Sequence, residues 1–254
     1  MPVKRCIAVI VLAVLISLSM LVPASAGSSL TVQDKADILN KLNILKGDNG
    51  NYNLDGQLER SEAAAFIVRI MGREQLVLAN RELFWTTPFP DVISVRWYAP
   101  YVGYCAERNI IEGDSQGNFR PNAPISEKSF LKLVLAALGY EYGKDFTWDT
   151  VYQKAYEIGL VKDEAYRAKT DDNLLYKRAD VVEVLYNVLV LESIKSHMKV
   201  IEVLINEDVV TRETAESLGL LDEDTTSGFF RIRSIEPVSK DTVILYFTHP
   251  VNTN

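Results

Sequence analysis

The sequence predicts a mainly α-helical fold of three helix-loop-helix repeats, followed by a C-terminal β-hairpin. One amphipathic pattern occurs three times, a similar shorter helical pattern precedes each occurrence, and the last residues alternate in polarity as strands do. A repeated supersecondary unit cannot bury its apolar face alone. We therefore expect the three repeats to pack around one apolar centre.

The three longer patterns are LERSEAAAFIVRIMG from Leu58, ISEKSFLKLVLAALG from Ile125 and YKRADVVEVLYNVLV from Tyr176. In each, apolar residues recur at i, i+3, i+4, i+7 and i+8, which is the stripe of an amphipathic helix. The predicted core positions are Ala63, Phe66, Ile67, Ile70 and Met71, then Phe130, Leu133, Val134, Ala137 and Leu138, then Val181, Val184, Leu185, Val188 and Leu189.

A shorter helix precedes each longer one, and the second copy shows the arrangement most clearly. Phe-Pro-Asp-Val from Phe89 leads to WYAPYVGYCAERNIIEG from Trp97 and then to GNFRP from Gly117. The apolar spacing predicts an inner stripe that starts at Trp97. The segments from Thr31 and Phe146 align with it without gaps, which places Asn43 and Gly159 on Asn109.

The second copy resembles an S-layer homology repeat, whose pattern runs from Phe-x-Asp-Val through a Trp, a Gly-Ile-Ile-x-Gly turn and a Gly-x-Phe-x-Pro loop to Ile-Thr-Arg-Ala-Glu. The resemblance implies three tandem repeats, here called the first, second and third segments, at residues 28–82, 83–143 and 144–192. It implies a pseudo-threefold spindle without a cofactor. It also implies a noncatalytic anchor that binds an anionic, pyruvylated secondary polysaccharide of a bacterial cell wall, with other S-layer subunits as further partners.

Residues 1–26 have the pattern of a signal peptide. Lys4 and Arg5 precede an apolar run from Cys6 to Val22, and Ala24-Ser25-Ala26 is a small-residue cleavage site. A retained membrane anchor is the alternative, because the run is almost long enough to span a bilayer. The small residues favour cleavage, so we expect a secreted protein of the cell wall or S-layer with no membrane insertion after processing.

The net charge is acidic, which excludes a general attraction for nucleic acid. The formal charge is −7, and cleavage of Lys4 and Arg5 leaves 25 basic against 34 acidic residues. Any anion must therefore be bound by a few local donors. Cleavage also removes Cys6 and leaves Cys105 alone, so no internal disulfide is predicted.

The first position of each longer helix is the main candidate binding position. Arg60 and Arg178 begin two of these helices, where free backbone N–H groups and the helix dipole favour an anion. A guanidinium adds a two-pronged donor for a carboxylate. The second copy has Glu127 there, which Lys128 only partly offsets. We expect working grooves at Arg60 and Arg178 and a weak or silent one at Glu127; solvated surface charges are the alternative.

Further polysaccharide contacts come from the resemblance. Asp91, Trp97 and Trp148 are expected near the groove openings, where an aromatic face stacks on a sugar ring. Trp97 is equally consistent with a core position. Gly47 and Gly113 either let the loop backbone approach a ligand or supply a positive φ for a turn.

One loop has the spacing of a calcium site. Asn51, Asn53, Asp55 and Glu62 fit an EF-hand loop, except that Asn replaces the first Asp. The pattern does not recur in the second copy. The alternative is a turn-rich loop without metal.

No catalytic constellation stands out in the sequence. The two histidines, His197 and His249, lie far apart, and Cys105 falls on an apolar stripe. The abundant carboxylates do not by their number exclude a glycosidase, but most fall at helix starts or on polar helix faces. We expect a noncatalytic protein.

After the third segment we expect a helical linker at residues 193–228 and strands at 229–254. The alternation on both sides of Ser239-Lys240-Asp241 predicts a β-hairpin, similar to the start of a bacterial immunoglobulin-like module and part of a truncated β-sandwich. Two functions remain open: the anchor of an S-layer or surface protein, or the anchor of a surface polysaccharide-degrading enzyme whose catalytic domain is missing.

Overall fold

The protein is mainly helical over the residues that its computed structural model describes. These are residues 29–47 and 50–221, together with the backbone of 232–239 and 242–247. The helices within them are α1 (Val32–Lys41), α2 (Arg60–Ile70), α3 (Glu74–Ala79), α4 (Arg81–Phe84), α5 (Ala99–Glu107), α6 (Glu127–Ala137), α7 (Val151–Glu157), α8 (Arg178–Val188), α9 (Val200–Asn206) and α10 (Arg212–Ser217). The strands are β1 (Glu192–Ser193), β2 (Met198–Lys199), β3 (Ile232–Ser239) and β4 (Thr242–Phe247), and a 3-10 helix spans Glu164–Ala168.

The three long helices α2, α6 and α8 form where the periodicity predicts them. Each has 11 residues. Their predicted core positions are buried except Met71 and Ala137, which are partly exposed. Helix α2 also buries Ala64, Ala65 and Val68, because α5 and α6 both pack against it. The helix prediction is confirmed, and α2 is buried on more than one face.

A left-handed residue lies two positions after the end of each of the shorter helices α1, α5 and α7. The φ angles are +57° at Asn43, +54° at Asn109 and +79° at Gly159. Asn and Gly adopt this conformation more readily than other residues do. These are the three positions that the sequence alignment superposes, so the three turns have the same backbone form.

Backbone hydrogen bonds join the entries of the three long helices in a closed ring. The N–H of Leu58 donates to the carbonyl of Tyr176 at 3.0 Å, that of Ile125 to Leu58 at 2.9 Å, and that of Tyr176 to Ile125 at 3.2 Å. All three residues are buried. Each segment therefore donates to one neighbour and accepts from the other, and the three helix starts meet at one place.

The first N–H group of each long helix bonds to the loop of the next segment. Arg60 donates to the Ala123 carbonyl at 3.0 Å, Glu127 to Leu174 at 2.9 Å and Arg178 to Gly56 at 2.8 Å. The expectation that these N–H groups are free for an anion is wrong. Packing of the three segments against one another satisfies them, so an anion must be bound by side chains.

The helices after the third segment belong to the same apolar body. Val200, Ile201 and Leu204 of α9 are buried in the core. The Ile194 N–H donates to the Leu138 carbonyl at 3.0 Å, and the Ile201 N–H donates to Leu189 at 2.9 Å. Helices were expected at 193–221, and the apolar residues of α9 belong to the core. The division of the chain at residue 193 stays a prediction.

The predicted β-hairpin is present in the backbone of the last described residues. Strands β3 and β4 pair antiparallel, with Ile235 opposite Leu245. The immunoglobulin-like module remains a prediction. The predicted signal peptide at 1–26, with its apolar run, and the acidic boundary from Asp222 lie outside the described residues. Among the helices whose side chains are described, none has the length and apolarity to cross a bilayer.

A charged cluster joins α2, α3 and α5. Lys46, Arg69 and Tyr101 all donate to Oε1 of Glu74, at 3.0, 2.9 and 2.7 Å. Burial by itself raises the pKa of Glu74, but the hydrogen bonds from Tyr101, Arg69 and Lys46 outweigh it, so the pKa lies below its ordinary value. The ionised carboxylate therefore stabilises the folded state.

The ring residues should be among the most sensitive to truncation. We expect Leu58→Ala to lower the free energy of unfolding by about 2–5 kcal/mol, because it leaves a cavity at a fully buried position. Leu83→Ala is the control, since Leu83 is 68% exposed and its truncation should cost under about 0.5 kcal/mol. Urea denaturation measures both, and a cost for Leu58→Ala as small as that of the control would contradict this assignment.

The Glu74 cluster should make stability depend on pH. A carboxylate with a depressed folded-state pKa contributes fully above its unfolded pKa, and the contribution disappears as the pH falls through the folded pKa. We expect the protein to be more stable than Glu74→Gln at neutral pH and the difference to shrink on acidification. Urea denaturation across a pH series tests this, with the exposed Glu82→Gln as control. A difference that stays constant with pH would refute it.

Candidate functional site

Arg60 reaches from the start of α2 into the loop of the second segment. Its Nε donates to the Phe119 carbonyl at 2.6 Å and one Nη to the Glu112 carbonyl at 3.1 Å. The guanidinium also lies 4.7 Å from the centre of the Phe119 ring. The first helical position therefore points the arginine between two segments, and carbonyl oxygens orient it there.

The guanidinium of Arg60 lines a cavity of about 550 Å³, here called the Arg60 cavity. The turn and loop of the second segment and one face of α6 form its walls. Cations outnumber acids in the lining, and three aromatic residues are present. The charged and aromatic lining residues are Arg60, Arg120, Lys132, Glu112, Asp114, Phe119, Tyr142 and Trp148.

The two acids of the Arg60 cavity are paired with other cations. Arg120 Nε lies 2.6 Å from Asp114, and Lys132 Nζ donates to Glu112 at 2.9 Å. Within the described residues, Arg60 forms no ion pair with a carboxylate. Burial lowers the pKa of Arg60, while the charges of Asp114 and Asp91 oppose that shift. Because arginine stays protonated in proteins, the cavity holds a charge without a direct counter-ion.

Arg178 makes the same kind of carbonyl contact but has a carboxylate partner. Its Nε donates to the Tyr52 carbonyl at 2.8 Å, and its Nη1 donates to Oε1 of Glu62 at 2.6 Å. The residue is only 8% exposed. A buried ion pair with Glu62 therefore neutralises the charge of Arg178, at the position where the sequence predicts a working groove.

One position explains the difference between the two arginines. Arg178 faces α2, and the residue two positions after the start of α2 is Glu62. The Arg60 cavity is lined by α6, and the corresponding residue of α6 is Ser129. Helix α8 has Asp180 there. A hydroxyl in place of a carboxylate leaves Arg60 without an acidic partner.

Glu127 begins α6 and is buried among groups of the third segment. It accepts hydrogen bonds from the hydroxyls of Tyr152 and Tyr166 and from the ammonium of Lys169. Burial and the Glu127 carboxylate raise the pKa values of both tyrosines. The protein's own side chains therefore surround this carboxylate, and the weak or silent groove expected at Glu127 stays a prediction.

Lys128 is buried and supports Trp148. Its ammonium pairs with Asp172 and lies 4.8 Å from the centre of the Trp148 ring. The Trp148 Nε1–H donates to Asp172 at 3.0 Å. Lys128 therefore does not replace a cation in a groove. Instead it helps to orient the indole that lines the Arg60 cavity.

Asp91 and Trp97 lie on a neighbouring cavity of about 550 Å³. Asp91 accepts the N–H groups of Phe119 at 2.8 Å and Arg120 at 2.7 Å, so it holds the loop in shape. Trp97 precedes α5 and is 55% exposed. Its prediction as the start of an inner stripe is wrong, whereas Tyr101 and Cys105 of that stripe are buried.

Gly47 and Gly113 are required by close packing. Neither has a positive φ, so the turn explanation is wrong. A Cβ on Gly47 would lie 2.4 Å from the Tyr52 ring, and one on Gly113 would lie 3.1 Å from the Phe89 ring. Gly113 lines the Arg60 cavity, whereas Gly47 lies against Tyr52.

The loop with calcium-like spacing uses its polar groups for local contacts. Glu62, which would supply the last ligand, binds Arg178 and accepts the Glu59 N–H at 3.0 Å. The Asn51 side chain accepts the Asn53 N–H at 3.1 Å. In the part of the chain that the structure describes, no three His, Cys, Asp or Glu side chains, Asp55 included, are grouped for a metal. The turn-rich interpretation accounts for these contacts.

Comparison with known proteins identifies the segment that forms most of the Arg60 cavity. Residues 88–130 match the family model of the S-layer homology domain. The match covers the loop, the turn and the start of α6, which surround the Arg60 guanidinium. The S-layer homology match is therefore to the second segment.

Three relatives carry names from the bacterial cell surface. A middle cell wall protein of Brevibacillus brevis is 28% identical over 59% of this chain and 14% of its own length. A surface layer protein of Brevibacillus choshinensis is 28% identical over 49% of the chain and 11% of its own. A cell surface protein of Thermoanaerobacter kivui is 29% identical over 76% and 25%.

The chain thus spans a quarter or less of the length of these curated relatives. The S-layer homology match and the relatives together indicate a cell-wall-associated or cell-surface location and support an anchoring role. The family match is confined to residues 88–130. The description of the other residues rests on the structure.

Sequence reasoning missed several residues of the Arg60 cavity. Lys132, Ser129 and Tyr142 lie one segment after Arg60 in the chain, and the sequence analysis compared each arginine only with its own helix. The signal available in the sequence was the residue two positions after the start of each long helix, which is Glu62 in α2, Ser129 in α6 and Asp180 in α8. That signal becomes useful only once it is known that each helix start faces the next segment.

Replacing the Glu127 carboxylate should change the ionisation of the tyrosines around it. We expect Glu127→Gln to lower the pKa values of Tyr152 and Tyr166 toward the ordinary value, because the negative charge that opposes phenol ionisation is gone. An NMR titration with ring-labelled tyrosine measures this. Glu112→Gln, on the Arg60 cavity, is the control and should leave both values unchanged. Identical titration curves for the protein and Glu127→Gln would contradict the geometry.

Proposed function

We propose that the chain is a noncatalytic anchoring module that holds a surface or S-layer protein to an anionic secondary polysaccharide of the cell wall. The observation that carries the proposal is the guanidinium of Arg60, which lines a cavity, is held by two carbonyls and has no carboxylate partner among the described residues. Arg60 is half-buried, and partial desolvation of a charge without a counter-ion costs free energy. A ligand anion would supply it.

The chemistry of the Arg60 cavity suits a carboxylate on a sugar. A guanidinium donates along a planar edge that matches the two oxygens of a carboxylate, such as that of a pyruvate ketal. On the α6 wall Ser129 supplies a hydroxyl, and Lys132, which is paired with Glu112, supplies a further N–H donor. Tyr142 and Trp148 offer aromatic faces against which the C–H side of a sugar ring packs.

We further propose that the three segments are three S-layer homology repeats in a pseudo-threefold spindle. The closed ring of backbone hydrogen bonds at Leu58, Ile125 and Tyr176 supports this. The three left-handed turns support it as well, since equal backbone form at aligned positions is expected of repeats. The immunoglobulin-like module and contacts with other S-layer subunits belong to the same proposal.

The three grooves of this spindle differ in their charge, and we assign polysaccharide binding mainly to the Arg60 cavity. Glu62 neutralises Arg178, and Lys169 and two tyrosines surround Glu127. Asp91 and Gly113 shape the loop beside Arg60, and Trp97 flanks the neighbouring cavity. This assignment narrows the sequence-based hypothesis, which gave equal weight to Arg178.

The anchor of a surface polysaccharide-degrading enzyme is the second candidate. It is compatible with the short share of each relative that the chain covers, which leaves room for other domains. The names of the three relatives favour a structural surface protein. Both candidates require the same wall-binding site.

Matched lysine substitutions test the assignment to Arg60. We expect Arg60→Lys to weaken binding of polysaccharide released from Brevibacillus brevis walls by about 10-fold or more, because the charge remains and the two-pronged donor is lost. Arg178→Lys, which changes a neutralised arginine in the same way, should leave the affinity within about two-fold. Isothermal titration calorimetry measures both, and circular dichroism verifies folding.

An exposed cation elsewhere serves as a further control. Lys162→Ala removes a charge from the third segment and should not alter binding. Equal affinities for the protein and Arg60→Lys, or equal losses in all three variants, would reject the Arg60 site.

A further inference from the structure

A second cavity adjoins the Arg60 cavity on the other side of Lys132. It has a volume of about 770 Å³, and we call it the Arg108 cavity. The ends of α5 and α6, the loop from Tyr140 to Phe146 and Lys195 form its walls. Both volumes lie in the range of small-molecule sites.

The two cavities have four lining residues in common: Ile110, Glu112, Lys132 and Tyr142. Lys132 Nζ lies 2.9 Å from Glu112 and 4.3 Å from the centre of the Tyr142 ring. Tyr142 is 49% exposed, so its ring is accessible from solvent. A chain-like ligand in the Arg60 cavity would therefore reach the Arg108 cavity across these side chains.

Arg108 gives the second cavity a cation on an aromatic support. Its guanidinium lies 3.6 Å from the centre of the Tyr104 ring, and one Nη donates to the carbonyl of Tyr104 at 3.3 Å. Its side chain is 40% exposed, and its nearest carboxylate, that of Glu107, is 3.5 Å away. Stacking on an aromatic face orients a guanidinium and leaves its edge free for an acceptor.

Tyr140 supplies a polar group without a partner on the same wall. Within the described residues its hydroxyl makes no hydrogen bond, although the side chain is only partly exposed. Burial raises the pKa of Tyr140, with Asp145 and Glu192 adding to the shift, so the hydroxyl is protonated at neutral pH. It can donate to a sugar hydroxyl or to a carboxylate.

We propose that the Arg108 cavity is a second subsite for the same polysaccharide. It takes the sugars that follow the one held at Arg60 and binds a further anionic substituent at Arg108. The inference rests on the proposed function and deepens it, because the ligand becomes an acidic oligosaccharide of several sugars and not a terminal sugar alone. Tyr142, which is exposed, and Tyr140, which is partly exposed, provide the aromatic surface that such a chain requires.

Fragments of different length test the second subsite. Polysaccharide from Brevibacillus brevis walls is hydrolysed and separated into single-repeat and multi-repeat fragments, and calorimetry gives the affinity of each. We expect multi-repeat fragments to bind about 10-fold more tightly or better, since a second subsite adds contacts. Arg108→Gln and Tyr140→Phe should each reduce that advantage and leave the affinity for single-repeat fragments unchanged.

Two further variants separate this inference from the proposed function. Arg60→Ala should weaken binding of both fragment classes, and Arg81→Ala, an exposed cation that lines neither cavity, should weaken neither. A length advantage that is absent, or that survives in Arg108→Gln and Tyr140→Phe, overturns the second subsite while the Arg60 effect stands. Binding that is indifferent to Arg60→Ala, or no binding of any fragment, overturns the proposed function itself.

Discussion

Three backbone hydrogen bonds among Leu58, Ile125 and Tyr176 bring the starts of the long helices together, and the site depends on them. Because main-chain groups make these contacts, the side chains that follow are free to differ. Each helix start faces the loop of the next segment, whatever its first residue is. Arg60, Glu127 and Arg178 therefore occupy corresponding places with different chemistry, and the neighbouring segment decides what each of them does.

Charge balance explains the different roles of these three residues. A buried charge needs a partner, since desolvation costs more than any distant charge returns. Arg178 has Glu62, and Glu127 has Lys169 with two tyrosine hydroxyls. Arg60 is half-buried, and among the described residues its hydrogen bonds go to carbonyl dipoles, which orient a guanidinium but do not neutralise it. A site that is left with a net positive charge inside an acidic chain is suited to an anionic ligand, and it attracts that ligand locally without attracting polyanions in general.

The sequence predicts the helices well, because amphipathic periodicity reports burial directly. It also aligns Asn43, Asn109 and Gly159, whose common left-handed backbone only the structure reveals, and it places a cation at the first position of α2. It does not predict that the first N–H groups are bonded, that Trp97 is exposed or that α9 packs on the core. These depend on contacts between segments distant in sequence, and periodicity carries no information about which residue a side chain meets. The pairing of Arg178 with Glu62, 116 positions apart, is the clearest case.

A crystal structure of the protein with a defined acidic fragment of the wall polysaccharide tests the account most directly. The account predicts a carboxylate of the sugar within hydrogen-bonding distance of the Arg60 guanidinium, with a sugar ring against Tyr142 or Trp148 and no ligand at Arg178. A fragment bound elsewhere, with Arg60 still contacting only the carbonyls of Phe119 and Glu112, would contradict it.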